Sequence, residues 1–508
     1  MKRKKELIVI LSSLLVIVLS VSVAYFTTKI LGTGKEISVE SANLKVIFTS
    51  GSGTINGTNI EPGWTSGENT FTVKNESNGT YKYNIIIKDL VNTFTTNGFL
   101  VYKITSADGG YNMTDFVDVP KSKTSKDTIL AYNISIDKGA THTYKVEIKY
   151  LESKDVDQSA DMGKMLSGTL YIEKGTENPP TLAEKLLSDN PTISTRTDFS
   201  TSFTTNTANT LYKATENATD VYYFAGQDTA STPINNWVKF GKNSSNQDLY
   251  WRIIRTNSDG SIRLLYHGTS TTAIDAYIGK SAFNTTKNSP KYVGYMYGNS
   301  DTTPEEARTN TNDSTIKAYI DNWYENNMTS YTKYLSTTAV YCNDRELASG
   351  ASYSTTKRFE FKAYDRLDSE NNGKNASPTY DCTNNNDKFT VDASAGNGKL
   401  EYPIALMTAD EIAYAGGVAY EDAPIWYYTN SSLESSTGST FWWSLSPSYW
   451  SGYYSGVWDV HGSNLPGFLS GDDVSSAFGV RPAISIKSDA LWSSGDGSPE
   501  NPYEIVYN

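Results

Sequence analysis

Trp442-Trp443-Ser444-Leu445-Ser446-Pro447 and Gly479-Val480-Arg481-Pro482-Ala483-Ile484 are two strand-like stretches that decide the fold of the second half of this 508-residue chain. Their aromatic and β-branched residues are typical of buried strands. The chain between them is rich in Tyr, Ser and Gly, a composition that indicates a polar loop. We therefore expect a sheet framework that holds one aromatic loop at the surface.

Strand and helix patterns continue upstream of these stretches to about residue 221. Leu249 to Arg255 and Ile262 to Tyr266 flank Asn257-Ser258-Asp259-Gly260, which is a strong hairpin pattern. Two helices are also predicted, one from apolar residues at helical spacing and one from a capping box. The residues that predict them are Ile316, Tyr319, Ile320, Trp323 and Tyr324 for the first, and Thr408, Glu411, Gly416 and Gly417 for the second. Residues 221–508 are therefore predicted to form an α+β domain with more strand than helix.

The N-terminal part of the chain shows a different pattern, an alternation of apolar and polar residues with a period of two. The apolar positions are Tyr81, Tyr83, Ile85 and Ile87 in one segment, and Tyr144, Val146, Ile148 and Tyr150 in another. This period predicts half-buried strands, and helical spacing is almost absent, so residues 28–175 are predicted to form an all-β sandwich. Residues 176–220 are predicted to be a linker and an irregular lead-in, apart from a short helix that starts at the capping box Thr181 to Glu184.

The N-terminal part resembles the camelysin/TasA-type secreted matrix proteins. The residues that carry the resemblance are Ala24-Tyr25-Phe26 at the end of the export segment, Glu61-Pro62-Gly63-Trp64, Phe71-Thr72-Val73-Lys74-Asn75, and Asp157 to Lys164 before Gly168-Thr169-Leu170. The resemblance implies a jelly-roll-like sandwich that associates with a matrix or with copies of itself. Protease activity is attributed to some members of that family, but no His-Glu-x-x-His motif occurs in this chain.

Residues 221–506 resemble the C-type-lectin-like fold of bacterial surface domains that are related to formylglycine-generating enzymes and retroelement-diversified receptors. The residues that carry the resemblance are the two stretches quoted first, together with Met407-Thr408-Ala409-Asp410-Glu411 and Trp251-Arg252-Ile253-Ile254. Oxidation by formylglycine generators needs a pair of active-site thiols, and no cysteine follows Cys382. The resemblance therefore implies the architecture and not that activity.

The first residues of the chain predict export. Four cationic residues, Lys2 to Lys5, precede a mostly apolar run of twenty residues, Leu7 to Phe26, which is long enough to cross a bilayer. Residues 1–27 are therefore predicted to be a signal peptide that is cleaved between Ala24 and Tyr25, or else an uncleaved membrane anchor through residues 7–26. In both cases the rest of the chain is expected outside the cell, at the cell surface.

Composition excludes some partners and favours a disulfide. The net charge of −12 disfavours binding to nucleic acid, because an acidic chain repels phosphate.

Cys342 and Cys382 are the only cysteines, and outside the cell such a pair is predicted to form a disulfide. Asp368 to Gly373 approach a Ca²⁺ loop, but the twelfth position is Thr379 where Glu is required, so no metal and no cofactor are predicted. Asp472 and Asp473 are interpreted as solvated turn residues.

The candidate binding residues lie in the densest aromatic run of the chain, twelve aromatic residues between positions 426 and 468. Phe441 to Trp443 are expected to be in the core. The ligand-binding residues are predicted to be Tyr449, Trp450, Tyr453, Tyr454, Trp458 and His461. Tyr and Trp rings stack on sugars and apolar groups, and the segment from Ser446 to Phe478 contains no Lys or Arg. The expected ligand is therefore a neutral glycan or a peptide.

These patterns together predict an exported bacterial surface or matrix protein whose C-terminal domain binds a glycan or a protein on a host or neighbouring surface. A structural filament or matrix subunit, which self-associates through its β-sandwich, is one alternative. An extracellular hydrolase is the other, because 56 acidic residues offer many carboxylate pairs and no spacing singles one out. No catalytic constellation stands out in the sequence, so the protein is predicted not to be an enzyme.

Overall fold

The computed structural model describes residues 36–39, 44–47, 60–66, 69–96, 98–175, 179–274, 276–367, 377–430, 435–436, 441–462 and 465–507. The predicted export segment with Ala24 and Tyr25, and the loop from Asp368 to Gly373, lie outside these residues. Strands make up 37% and helices 13% of the chain, so the fold is mostly β, with several antiparallel sheets. Among the described residues, no helix combines the length and the apolar character that a membrane crossing requires.

The chain divides into two compact units between Pro179 and Pro180. The described residues of unit 1 form nine strands in two sheets. Their bounds are β1 (Glu36–Val39), β2 (Leu44–Ile47), β3 (Asn69–Asn75), β4 (Tyr81–Asn92), β5 (Leu100–Ser106), β6 (Val117–Asp118), β7 (Ser122–Ile136), β8 (Thr141–Tyr150) and β9 (Leu166–Lys174). One sheet has the order β1-β2-β3-β8-β5-β6 and the other the order β7-β4-β9, and all their pairs are antiparallel.

Side chains from both sheets of unit 1 form one hydrophobic core. Phe71 and Tyr144 come from the six-stranded sheet, and Tyr83 and Ile85 from the three-stranded sheet, and all four are fully buried. In β8 the buried residues alternate with exposed or half-buried ones, as the sequence predicts. The period of two therefore predicts both strands correctly, but β4 is not half-buried as expected, because Tyr83 to Ile87 are all buried.

Unit 2 is built on an eight-stranded sheet. Its strands are β10 (Thr192–Ser194), β11 (Thr210–Glu216), β12 (Thr219–Tyr223), β13 (Trp237–Lys242), β14 (Asp248–Thr256), β15 (Ile262–Gly268), β22 (Ile404–Leu406) and β29 (Pro482–Ile486). The order is β10-β11-β12-β14-β15-β29-β22, with β13 also paired to β14. The predicted hairpin is present as β14 and β15, and all seven residues of β15 are buried.

A second sheet of unit 2 carries the aromatic segment. Its strands are β16 (Lys280–Ser281), β20 (Phe359–Glu360), β25 (Trp442–Trp450), β26 (Ser455–Val460), β27 (Leu469–Asp473) and β28 (Phe478–Gly479). The order is β16-β28-β25-β26-β27, with β20 also paired to β25. Four two-stranded ribbons complete the unit: β17 (Met296–Tyr297) with β18 (Asn312–Asp313), β19 (Tyr341–Cys342) with β21 (Lys388–Phe389), β23 (Thr429–Asn430) with β24 (Ser435–Ser436), and β30 (Trp492–Ser494) with β31 (Glu504–Ile505).

The predicted helices of unit 2 begin next to the residues that cap them. The α-helices are α1 (Leu182–Asp189), α2 (Pro304–Ala307), α3 (Thr315–Asn327), α4 (Lys362–Leu367) and α5 (Ala409–Ala415). Thr181 and Thr408 each form a capping box, with Glu184 and Glu411. Helix α5 ends at Gly416, whose φ of 123° a residue with a side chain rarely adopts.

The predicted irregular lead-in is more ordered than expected, because β10 to β12 extend the main sheet through it. Arg196 holds this segment in place: its guanidinium donates to the carbonyls of Ala413 and Tyr414 at the end of α5, at 3.2 and 2.6 Å. The same guanidinium lies between the rings of Phe199 and Phe203, 4.6 and 4.4 Å from their centroids. The expectation of irregular structure is therefore wrong for these strands, whose contacts are distant in sequence.

The beginning and the end of unit 2 pair with each other. Leu182 donates its N–H to the carbonyl of Ala490 at 2.8 Å, and Trp492 donates to the carbonyl of Pro180 at 2.9 Å. Thr181 and Leu491 form the antiparallel bridge between these two hydrogen bonds. The folded unit 2 therefore begins at about residue 180, some forty residues before the predicted boundary at 221.

Candidate functional site

The segment predicted as a polar loop is largely a pair of antiparallel strands. Trp442 pairs with Val460 and Trp450 pairs with Ser455, so β25 and β26 form a hairpin. All six residues of β26 are buried, because this strand lies between β25 and β27. The loop prediction is therefore wrong from Ser446 to Val460, except at the turn that joins the two strands.

Two of the predicted ligand-binding residues belong to the core. Trp450 is 1% exposed and Trp458 is fully buried. The Trp458 ring lies between Tyr364 and Tyr420, with centroids 6.0 and 6.1 Å away. Because both indoles are buried, neither can stack on a ligand, and neither belongs to the proposed binding surface. Their burial is not evident from the sequence, because the Ser and Gly residues that alternate with them are typical of surface loops. In this protein these small residues pack within the sheet.

Tyr453 is the most exposed large aromatic side chain among the described residues, at 83%. It lies in the turn between β25 and β26, where Ser451 donates its N–H to the carbonyl of Tyr454 at 3.0 Å. The Ser451 hydroxyl accepts the N–H groups of Tyr453 and Tyr454 at 3.1 and 2.9 Å. Gly452 has a φ of 94°, which this tight turn requires. The turn therefore presents Tyr453 to solvent on a well-braced backbone.

Tyr449 and Tyr454 form a half-buried pair beside Tyr453. Their ring centroids are 5.8 Å apart at 72°, and their hydroxyl oxygens are 3.3 Å apart. The Tyr449 ring lies over Gly456 of the neighbouring strand, because a Cβ at Gly456 would come within 2.8 Å of the ring. Burial and the neighbouring Tyr454 raise the pKa of Tyr449, so its hydroxyl stays protonated at neutral pH. The pair offers aromatic edges and hydroxyl groups next to one exposed ring.

Two cationic residues from elsewhere in the chain border these tyrosines, which the sequence did not reveal. The Arg358 guanidinium lies 5.1 Å from the centroid of Tyr449, and Lys287 Nζ lies 5.8 Å from that of Tyr454. Arg358 is paired with Glu360 at 2.8 Å and Lys287 with Asp473 at 2.6 Å. Each positive charge is therefore balanced locally. Asp473, interpreted as a solvated turn residue, is a member of this rim.

His461 is half-buried and stacks on Phe441, with ring centroids 3.8 Å apart. Its Nε2 lies 3.5 Å from Oδ2 of Asp459, and among the described residues neither ring nitrogen has a hydrogen-bond partner. The two carboxyl oxygens of Asp459 also have no partner in the described part of the chain, and burial with the nearby Asp472 raises the Asp459 pKa well above its ordinary value. Burial lowers the pKa of His461, so the surroundings disfavour the charged form of both groups. Because its ring nitrogens are enclosed, His461 does not offer a hydrogen bond to a ligand.

The disulfide prediction is confirmed: Cys342 and Cys382 are bonded across a sequence separation of 40 residues. Next to this bond, Arg366 donates to Asp344 at 2.7 Å and to both carboxylate oxygens of Asp410 at 2.7 and 2.8 Å. Burial raises the pKa of Asp344 to about 6. The cavity that these side chains line has a volume of about 20 Å³, enough for roughly one water molecule and too small for a sugar ring.

Among the described residues, no group of three His, Cys, Asp or Glu side chains is arranged to hold a metal ion. The chain matches no protein-family model, no curated protein and no solved structure. Its function is therefore argued from its own residues.

Proposed function

We propose that this chain is an exported surface or matrix protein that recognises a neutral glycan or peptide through Tyr449, Tyr453 and Tyr454. The observation that carries the proposal is the 83% exposure of Tyr453 on a turn that is held by three hydrogen bonds of Ser451. An exposed ring on a rigid hairpin costs little entropy when it binds, because its backbone is already ordered. Recognition by stacking is therefore the chemistry that this surface offers.

The character of the expected ligand follows from the charges around the three tyrosines. Arg358 and Lys287 are each paired with a carboxylate, so a charged ligand gains little net attraction from them. The tyrosine hydroxyls both donate and accept hydrogen bonds, as sugar hydroxyls and peptide amides require. These features favour a neutral ligand that is bound by stacking and hydrogen bonds.

In this proposal unit 1 is a jelly-roll-like sandwich that serves as a stalk or assembly module, and unit 2 is a C-type-lectin-like domain that displays the hairpin. The predicted segment at residues 7–26 either anchors the chain in the membrane or is cleaved on export. Two sheets around one core in unit 1 support the sandwich, and the disulfide supports an oxidising, extracellular location. The partner is a glycan or protein on a neighbouring surface.

Tyr453→Ala tests the proposal directly. A stacking contact contributes about 1 kcal/mol beyond its buried area, so we expect the variant to lose roughly tenfold or more in affinity for whatever glycan or peptide the full chain selects from an array. Its melting temperature should stay close to that of the wild type, because Tyr453 is mostly in solvent.

Trp443→Ala is the matched control for this experiment. Trp443 is fully buried and donates its indole N–H to the carbonyl of Ser281 at 3.0 Å. Its loss should destabilise unit 2 by about 3–5 kcal/mol and abolish binding only through unfolding. Equal affinity of the wild type and Tyr453→Ala would refute the proposal, as would selection of nothing from glycan and peptide arrays.

Gly456→Ala offers a second test that removes no aromatic group. The added Cβ would meet the Tyr449 ring at 2.8 Å and must displace it. We expect weaker binding than in the wild type although all three tyrosines are present. Gly79→Ala serves for comparison, because a Cβ there meets nothing within 4 Å.

A further inference from the structure

Four polar or aromatic residues cluster within the main sheet of unit 2. Trp237 of β13 pairs with Arg252 of β14, and Arg252 pairs with Leu265 of β15. His267 follows two residues later in β15, and Arg481, which directly precedes β29, donates to the carbonyl of the neighbouring Tyr266. All four are buried, with exposures of 0 to 1%.

The contacts between these side chains are close. The Arg252 guanidinium lies 4.2 Å from the centroid of the Trp237 ring, and the Trp237 and His267 rings are 4.4 Å apart. Asn430 adjoins the cluster, with its Nδ2 3.5 Å from Nε2 of His267. On this contact we assign the proton of the neutral His267 ring to Nδ1, because the amide nitrogen of Asn430 donates and Nε2 accepts.

Three buried nitrogen atoms of this cluster have no acceptor among the described residues. They are Nε1 of Trp237, Nη1 of Arg252 and Nδ1 of His267. A buried donor that stays without an acceptor costs free energy, and nearly all buried polar groups in native proteins are paired. The Trp237 ring lies 4.2 Å from the Arg252 guanidinium and 4.4 Å from the His267 ring, so the three unpaired donors belong to neighbouring side chains.

The cluster also carries more positive than negative charge. Arg252 is paired with Asp228 at 2.8 Å, and its Nε donates to Asn236. Arg481 donates only to the carbonyls of Tyr266 and Tyr427, so no carboxylate balances it among its described contacts. Burial and the charge of Arg252 lower the pKa of Arg481 to about 9, which leaves it protonated at neutral pH. Burial and both arginines lower the pKa of His267, so it is neutral.

We infer that Trp237, Arg252 and His267 form a buried binding site for a small monovalent anion of the halide class. An anion accepts hydrogen bonds from all three donors and offsets the charge of Arg481, which a water molecule cannot do. A halide has no bound proton and no preferred bonding direction, so it fits a set of donors with no acceptor among them. The ion would stabilise the sheet of unit 2 independently of the tyrosine surface.

The test is the thermal unfolding of the full chain in chloride. Sodium chloride is exchanged for sodium gluconate at constant ionic strength and pH 7, because the gluconate anion is larger than chloride. Nine of the ten tryptophans lie in unit 2, so fluorescence reports on that unit. A ligand that binds only the folded state stabilises that state by mass action. The midpoint temperature of thermal unfolding should therefore rise by roughly 2–4 °C for each tenfold increase in chloride concentration above the dissociation constant.

Trp237→Phe removes one of the three donors and keeps an aromatic ring. We expect a smaller rise of the midpoint with chloride in this variant. Trp458→Phe is the matched control, because Trp458 is also fully buried and its Nε1 also has no acceptor, yet it lies outside the cluster. Its response to chloride should equal that of the wild type.

Two outcomes would overturn the inference. One is a wild-type midpoint that does not change when chloride replaces gluconate. The other is an equal loss of the chloride response in both tryptophan variants, which would indicate a general effect of losing an indole. Crystals soaked in bromide give an independent readout, since the inference requires an anomalous peak within hydrogen-bonding distance of Arg252 Nη1.

Discussion

Burial disfavours the charged form of the Asp459 carboxyl group and thereby makes the stability of unit 2 depend on pH. Its folded pKa lies well above the unfolded value of about 4. Below pH 4 both states are protonated; as the pH rises further, the unfolded state releases its proton and the folded state does not. Unit 2 should therefore lose up to about 1.4 kcal/mol of stability per pH unit from this group, until the pH reaches the folded pKa.

Asp459→Asn should remove that loss, because the amide has the shape of the protonated acid and does not ionise. We expect the variant to gain stability relative to the wild type between pH 4 and pH 7, measured by urea unfolding at both values. Asp473→Asn is the comparison with opposite sign: the hydrogen bonds from Lys287 and Ser475 lower the Asp473 pKa, so its replacement should cost stability at pH 7. A constant difference between Asp459→Asn and the wild type at both pH values would contradict the first expectation.

Single residues were predictable where their chemistry is local or exclusive. Cys342 and Cys382 could be paired from the sequence because they are the only cysteines. Arg358 and Lys287 could not be assigned to the tyrosine surface, since they lie about 90 and 160 residues before Tyr449 and reach it only through the fold. The three unpaired donors at Trp237, Arg252 and His267 were hidden for the same reason.

The disulfide stabilises unit 2, because it closes the segment from Cys342 in β19 to Cys382 into a loop. Cys342→Ser opens a loop of 40 residues, for which the chain-entropy model gives a loss of roughly 3–4 kcal/mol. We expect the melting transition of unit 2 to fall by several degrees and that of unit 1, in which Trp64 is the only tryptophan, to stay unchanged. Differential scanning calorimetry of the full chain separates the two, and a fall in both transitions would contradict this assignment.

Elements were predictable where their end signals lie within a few residues. The capping boxes at Thr181 and Thr408 start helices α1 and α5 at the expected positions. The sequence predicts a loop at strands β25 and β26 because their Ser and Gly residues are typical of loops. They are strands because β20 and β28 pair with β25 and β27 pairs with β26, and no local pattern reveals this pairing.

For the chain as a whole, we predict export from the cell. Protease shaving of intact cells should degrade both units, because the basic residues Lys2 to Lys5 and the apolar run Leu7 to Phe26 predict that the rest of the chain is outside. The protein should then be detected with Tyr25 as its first residue, or with the apolar run intact. A pool that proteases reach only after lysis would end this interpretation.

Pro180 to Leu182 pair with Ala490 to Trp492, and this pairing brings the beginning of unit 2 close to its last strands. Thr181 forms a β-bridge with Leu491, and Val506 donates its N–H to the carbonyl of Leu491 at 2.9 Å, so both ends of the unit lie beside Leu491. A segment with such ends can be spliced into a surface turn of an unrelated scaffold without stretching the host, or cut and rejoined elsewhere in its own sequence. Because the bridge lies at the first residues of the unit, we expect a force applied at residue 180 to open this bridge before the main sheet.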